Sequence, residues 1–384
     1  MRPQVRISLG LGVSQTYAYA TTYYLPAVIA GAAAAELRVS GAELLGGFSL
    51  ALLVSGLCAP RVGRVIDRVG GRGLMAAGSV VMAAGLAMLA SAQGMLLWYA
   101  AWLVAGLGMA MGLYEAAFAS IGRLYGRESR PIITNVTLIA GFASTIGWPV
   151  GAALIGPLGW RGLVLLYAAF HLLLNLPLVL LCVPKPAAAA EIAAPAPRDG
   201  AALLAARRAF LLLAVFFTTR AVIAAILSVH AIVILERVGL GTTAAVGVAS
   251  LFGPGQVAGR LLEMLLGRRL NPLWSARLGS VLLPAGAVAL LLFGPAAAVV
   301  FALGYGMSNG ILTINRGTLP MAVFGPHGYA ALMGRLARPS LVASALAPTL
   351  VAPLIEGWSG MAMIACAGAA AGVAALCLLP LRVR

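Results

Sequence analysis

Apolar residues in this chain run in blocks of about 20 or more, and polar residues collect in short clusters between them. A helix rising 1.5 Å per residue needs about 20 apolar residues to cross a ~30 Å hydrocarbon layer. The pattern predicts twelve crossings, at roughly 7–34, 42–62, 73–93, 95–122, 132–156, 162–183, 209–235, 243–266, 273–293, 296–322, 330–355 and 360–380. Gly and Pro interrupt many blocks. Membrane helices tolerate this because packed neighbours take up the freed backbone groups. The alternating ten-residue strands of an outer-membrane barrel are missing from the pattern.

Composition sharpens this reading. Of the 384 residues, 62% are hydrophobic and 9% charged, where a soluble domain carries about 25% charged residues. Mean hydropathy is +1.00. Such a chain cannot cover a water-facing surface, which excludes a cytosolic enzyme, a secreted disulfide scaffold and a disordered protein. The four cysteines, Cys58, Cys182, Cys366 and Cys377, lie in apolar stretches without a CxxC and read as small packing residues.

The net charge of +16 resembles a nucleic-acid signature until it is mapped. With the N-terminus placed in the cytoplasm, nineteen Lys and Arg fall on the cytoplasmic side, three on the other side (Arg38, Arg161, Arg237) and four within spans (Arg220, Arg316, Arg335, Arg338). This bias predicts that both termini are cytoplasmic in a bacterial inner membrane, and it makes the charge a topology signal. No nucleic-acid partner is expected. The first span is too long and too polar (Ser14 to Tyr19) for a signal peptide. The Ala- and Pro-rich stretch at 185–208 reads as a cytoplasmic linker between a bundle at 1–184 and a bundle at 209–384.

The two halves repeat. Gly63-Arg64-Val65-Ile66-Asp67 matches Gly259-Arg260-Leu261-Leu262-Glu263, and Gly106-x-Gly108-Met109-x-x-Gly112 matches Gly304-x-Gly306-Met307-x-x-Gly310. Trp160-Arg161-Gly162 likewise matches Trp358-Ser359-Gly360. Three matches in order, at nearly constant offset, indicate a duplication of six spans. The expected fold is an all-α membrane protein whose twelve transmembrane helices form two pseudo-symmetric six-helix bundles, with substrate bound near the midplane.

Gly63-Arg64-x-x-Asp67-Arg68-x-Gly70-x-Arg72 resembles the loop 2–3 signature of the major facilitator superfamily, and Gly259-Arg260-x-x-Glu263 resembles its degenerate copy in loop 8–9. Tyr23-Tyr24, Phe48-Ser49-Leu50 and Gly112-Leu113-Tyr114-Glu115 resemble the bacterial branch related to monocarboxylate transporters and the oxalate:formate antiporter. Span one lacks the lysine of several monocarboxylate carriers. The resemblance implies a secondary transporter working by alternating access, with spans one, four, seven and ten lining a cleft. It further implies that Gly63, Asp67, Arg68, Arg72, Gly259, Arg260 and Glu263 serve gating.

Charge inside the bilayer marks candidate chemistry, because each such group costs roughly 2.5–3.5 kcal/mol at a helix centre on insertion scales. Counting from the basic clusters and loops at the span ends, Arg220 lies about 18 Å deep, Glu115 about 12 Å, Arg316 about 13 Å and Arg338 about 15 Å. Three arginines against one carboxylate suit an anionic substrate held by planar, bidentate guanidinium groups. The structural alternative is an Arg–Glu latch with the other arginines serving backbone carbonyls. Gln15, Tyr19, Thr22 and Tyr23 share one face of span one as a candidate cleft wall, and Asn309 and Asn315 accompany Arg316 in span ten. Glu115 is the candidate proton carrier and His230 a second titrating group, while His171 with Asn175 reads as a structural hydrogen-bonded pair.

No GxxxxGK[ST] stretch and no Cys/His cluster occurs, so neither an ATP-driven pump, a metal site nor a cofactor is expected. Asn135-Val136-Thr137 has glycosylation-sequon form but falls on the cytoplasmic side. The leading reading is a secondary carrier of a small organic anion, coupled to protons or a counter-anion and acting as a monomer in the bilayer. Efflux of a hydrophobic or metalloid compound, and a non-transporting sensor on the same fold, are the alternatives.

Overall fold

The structure, a computed structural model, describes residues 3–185, 200–267 and 269–383. Every regular element among the described residues is helical. Span one is assembled from Pro3–Ala18, a π-helical turn at Tyr19–Tyr23 and Leu25–Leu37. Spans two and three are Gly41–Val69 and Gly71–Ala90, and span four joins Met95–Gly112 to Tyr114–Tyr125. Span five combines Ser129–Ala140 with the first part of Ala143–Phe170. Span six is the remainder of that helix with a second π-turn, His171–Asn175, and Leu176–Cys182. The two spans part at Gly159, whose φ of 65° suits a residue without Cβ.

The second half continues with Gly200–Val238 (span seven), Thr242–Ser250 and Phe252–Leu266 (eight), Pro272–Phe293 (nine), Ala298–Phe324 (ten), Tyr329–Gly357 (eleven) and Gly360–Leu376 (twelve). Among the described residues six helical stretches are long and apolar enough to cross a membrane by length and composition; Met95–Cys182, at 88 residues, holds spans four to six, and Pro272–Phe324, at 53, holds nine and ten. Residues 200–208, expected as linker, are helical and continuous with span seven, whereas 186–199 lie outside the described residues.

The side chains are arranged as lipid requires. Large apolar residues point outward, with Leu96 89% exposed, Leu173 74% and Phe293 70%. Lipid tails are as apolar as leucine, so helices gain little by hiding leucine from them and pack instead through small residues. Gly106 of span four approaches span two so closely that a Cβ would stand 2.5 Å from the Ala51 carbonyl oxygen. Gly306 of span ten repeats this against span eight, 2.7 Å from the Phe252 carbonyl oxygen. The sequence match pairs Gly106 with Gly304, which faces Leu282 of span nine instead. A glycine run spaced by two aligns with itself in either register, and only the packing identifies the equivalent residue.

The chain divides into two compact units, Met1–Ala193 with Pro326–Arg338, and Ala194–Gly325 with Pro339–Arg384. The first ten residues of helix Tyr329–Gly357 therefore belong to the first unit. In the first unit Trp98, Trp102 and Phe118 are fully buried; in the second, Phe216 and Phe301 are. In the last turn of helix Leu25–Leu37, past the apolar stretch that ends at 34, Glu36 pairs with Arg161 at 2.8 Å and accepts the Trp160 indole N–H at 2.5 Å. Arg161 also donates to the Ala90 and Ala92 carbonyls at 2.5 and 2.6 Å, tying spans one, three and six together. In the second unit Arg277 donates to the Leu378 and Leu379 carbonyls at 3.0 and 2.9 Å, a cation placed where a helix C-terminus is negative.

Candidate functional site

In the first unit, spans one and four both lose regular α-helix at the residues singled out by polarity. Span one opens into the π-turn, closed by Tyr24 N–H donating to the Tyr19 carbonyl five residues back at 2.9 Å. Span four breaks at Leu113, whose φ of −85° and ψ of −170° are extended. The break comes directly after Gly112, a poor helix former with no side chain to pack. Its freed carbonyl accepts the Gln15 amide N–H at 2.7 Å, and the Tyr19 and Tyr114 rings meet at 4.6 Å.

Glu115 consequently sits, buried, in the first turn of Tyr114–Tyr125, where the helix dipole favours a carboxylate. The four polar residues expected on one face of span one separate. Tyr19 and Tyr23 are half-buried with rings 5.6 Å apart, while Gln15 and Thr22 turn fully inward. The π-turn advances less per residue than an α-turn, so Tyr19 and Tyr23 stay neighbours while Thr22 rotates off the face predicted for it, its hydroxyl bonded back to Ala18. Tyr23 continues the ring contacts to Phe48 at 5.3 Å, and Phe48 to Trp102 at 5.7 Å.

In the second unit Arg220 is 7% exposed. Its Nη2 donates to the Ser308 hydroxyl at 2.9 Å, and Ser308 donates to the Gly279 carbonyl at 2.6 Å. Nε and Nη1 have no hydrogen-bond partner among the described residues. Nη2 carries two N–H groups and Ser308 takes one. The other, with Nε–H or Nη1–H, forms a complete two-donor edge of the kind that grips a carboxylate.

Asn315 is fully buried and turns to span nine, donating to the Ser275 hydroxyl at 3.1 Å, while Ser275 donates to Glu263. Asn309 and Arg316 are half-buried. The His230 Nε2 bonds the Pro348 carbonyl at 3.1 Å, and Arg260 reaches Gln256 at 3.4 Å. Arg338 is exposed and belongs to the first unit, so it is not in the compact unit that holds Arg220.

At the turn between spans two and three, the Asp67 carboxylate accepts from the backbone N–H groups of Ala330 and Ala331 at 3.2 and 2.7 Å. These are among the unsatisfied donors of the first turn of span eleven, so Asp67 caps that helix from another element. Arg123 donates to the Asp67 main-chain carbonyl. The cap requires close backbone approach: a Cβ on Gly63 would collide with the Ala330 carbonyl, and one on Gly334 with the Ala59 carbonyl. Arg68 is exposed and Arg72 half-buried, and Gly259 packs instead on Met307 of span ten.

Sequence reasoning passed over Ser308, which holds Arg220, and the break at Leu113. Ser308 left a usable signal, a lone hydroxyl inside the Gly306–Gly310 run. No group of three or more His, Cys, Asp or Glu among the described residues could hold a metal.

Membrane-length apolar helices in both units, with charge buried inside each, define a polytopic membrane protein. The chain matches the Major Facilitator Superfamily over residues 11–348 and belongs to that family. It is accordingly a multi-pass membrane transporter and not an enzyme. Among solved structures it is similar to the human organic anion transporter MFSD10 (TETRAN), at 16% identity and TM-score 0.76, covering 98% of this chain and 100% of that one. It is also similar to the proton:xylose symporter XylE bound to 6-bromo-6-deoxy-D-glucose, at 11% identity and TM-score 0.70, covering 97% and 94%. At these identities the likeness concerns the fold. No curated protein matches the chain.

Proposed function

We propose that this protein carries a small organic anion across a bacterial inner membrane by alternating access, with both termini in the cytoplasm. The observation that carries the reading is Arg220, buried in the membrane-spanning part of the second unit with Nε and Nη1 unoccupied. A buried guanidinium that leaves donors unsatisfied is costly unless a ligand completes it. A carboxylate supplies both the charge and the matching two-acceptor edge. MFSD10, with the same fold, is an organic anion transporter. The residues resembling carriers related to monocarboxylate transporters lie together in the first unit, Tyr23 against Phe48 at 5.3 Å and Tyr114 next to Glu115. We assign the coupling proton to Glu115. His230, its ring held on the Pro348 carbonyl, is left out of that role.

The test is ligand binding to purified protein, with a thermal-shift panel of mono- and dicarboxylates, sugars and organic cations. Carboxylates should stabilise the wild type. Arg220→Lys keeps charge but loses the fork, and Arg220→Ala loses both, so affinity should fall about tenfold and then at least a hundredfold, or about 1.4 and 2.8 kcal/mol. Stabilisation by sugars or cations that survives Arg220→Ala contradicts the proposal.

A further inference from the structure

The two π-turns of the first unit are joined by a closed set of buried hydrogen bonds. In span six the Leu176 N–H donates to the His171 carbonyl five residues back, as Tyr24 does to Tyr19 in span one. The His171 Nε2 lies 2.9 Å from the Thr21 hydroxyl, in the middle of the span-one turn. Counting protons fixes the directions. Thr21 has one hydroxyl hydrogen and gives it to the Tyr17 carbonyl at 2.9 Å, so it accepts from His171 Nε2–H. Asn175 takes the Ser14 hydroxyl at 2.7 Å and donates to Ser79 at 3.0 Å, with its second N–H toward His171 Nδ1 at 3.5 Å. Ser79 donates to the Met75 carbonyl at 3.2 Å. Every hydrogen has one direction, and the imidazole is held as its Nε2–H tautomer. His171 is fully buried and Thr21 is 1% exposed.

A π-turn holds one residue more than an α-turn, and such insertions recur at functional sites. Reverting it to α rotates the residues beyond the turn by about 100° on the helical wheel. That rotation leaves Tyr23 one turn from Tyr19 but swings its ring about Tyr19, now 5.6 Å away, and off Phe48, now 5.3 Å away, so the environment of both rings changes. The α alternative also carries Thr21 away from His171, so the bond between them favours the π form.

We propose that His171 is a positioning residue: through Thr21 it holds span one in its π register and so sets where Tyr19 and Tyr23 stand on the transport pathway. The pathway part rests on the carrier reading above, whereas the register part stands without it.

The test is 19F NMR of 3-fluorotyrosine-labelled full-length protein in detergent, with lines assigned through Tyr→Phe variants of the ten tyrosines. His171→Leu and Thr21→Val should each shift the Tyr19 and Tyr23 lines beyond the linewidth, and the double variant should add nothing further because both remove one bond. His171→Gln keeps an N–H within reach of Thr21 and should retain the wild-type positions. Tyr305, in the second unit, should stay fixed in all of them. Thr21→Val, close to threonine in shape, decides the matter if His171→Leu yields no folded protein. Unmoved Tyr19 and Tyr23 lines in Thr21→Val, or equal movement of Tyr305, overturn the proposal. No ligand is involved, so failure of the anion reading leaves this result intact.

Discussion

At the scale of single residues, charge in an apolar setting was the legible signal. Arg220, Glu115 and Asp67 stand out in the sequence because each needs a reason to be where it is. Their partners do not stand out. Asp67 rests on two backbone N–H groups of Ala330 and Ala331, and Gln15 on the Gly112 carbonyl, and main-chain groups carry no side-chain signature. Asp67→Asn leaves one neutral acceptor where a carboxylate faced a positive helix end. The loss is about 1–2 kcal/mol, which on the proposed gating role is roughly tenfold in the population held by this cap. Transport by reconstituted protein should drop by about that factor while ligand affinity changes less than threefold. A collapse of affinity with transport retained would place Asp67 in the binding site rather than in a gate. Glu36 makes a separate statement about pH. Hydrogen bonds from Arg161 and then Trp160 hold its carboxyl below the ordinary carboxylate range. A depressed carboxyl stabilises the fold above its unfolded pKa and loses that contribution as pH falls through the folded value. Melting temperature should therefore decline as pH is lowered below the ordinary carboxylate range, and Glu36→Gln should flatten that slope. Parallel curves for the two proteins would contradict it.

At the scale of elements, hydropathy located the helices, but not the interruptions inside them. A π-turn or a one-residue break leaves the average apolarity of a span unchanged, so Tyr19–Tyr23, His171–Asn175 and Leu113 are invisible to a windowed reading. The same blindness extended the expected linker to 208, where Ala- and Leu-rich sequence instead continues span seven down to Gly200. Glycines were legible as a class, and their contacts only from packing. Gly63 and Gly334 bring spans two and eleven into backbone contact beside the Asp67 cap. Gly334→Ala should push the first turns of span eleven off span two and lower the melting temperature by several degrees. Gly31→Ala, where a Cβ meets nothing within 4 Å, serves as the control and should not lower it. Equal melting temperatures in the two variants would mean that the close approach at Gly334 carries no weight.

At the scale of the whole molecule, the crossings were readable because apolar blocks recur along the chain, and the duplication because three matches recur in order at nearly constant offset; the family match over 11–348 agrees with the fold. Substrate chemistry is not repeated. In the proposed reading it depends on a few buried groups whose neighbours come from distant spans, and on the second unit's Arg220 above all. The central proposal is that those groups serve an anion. The most direct measurement is uptake into proteoliposomes containing the purified protein. Radiolabelled carboxylates selected by the binding panel should accumulate, with sugars and organic cations as comparisons and the Arg220→Ala protein in parallel. Carboxylate uptake should be saturable, lost in Arg220→Ala and absent for the sugars and cations. Saturable uptake of a sugar or a cation, undiminished in Arg220→Ala and without carboxylate uptake, would contradict it.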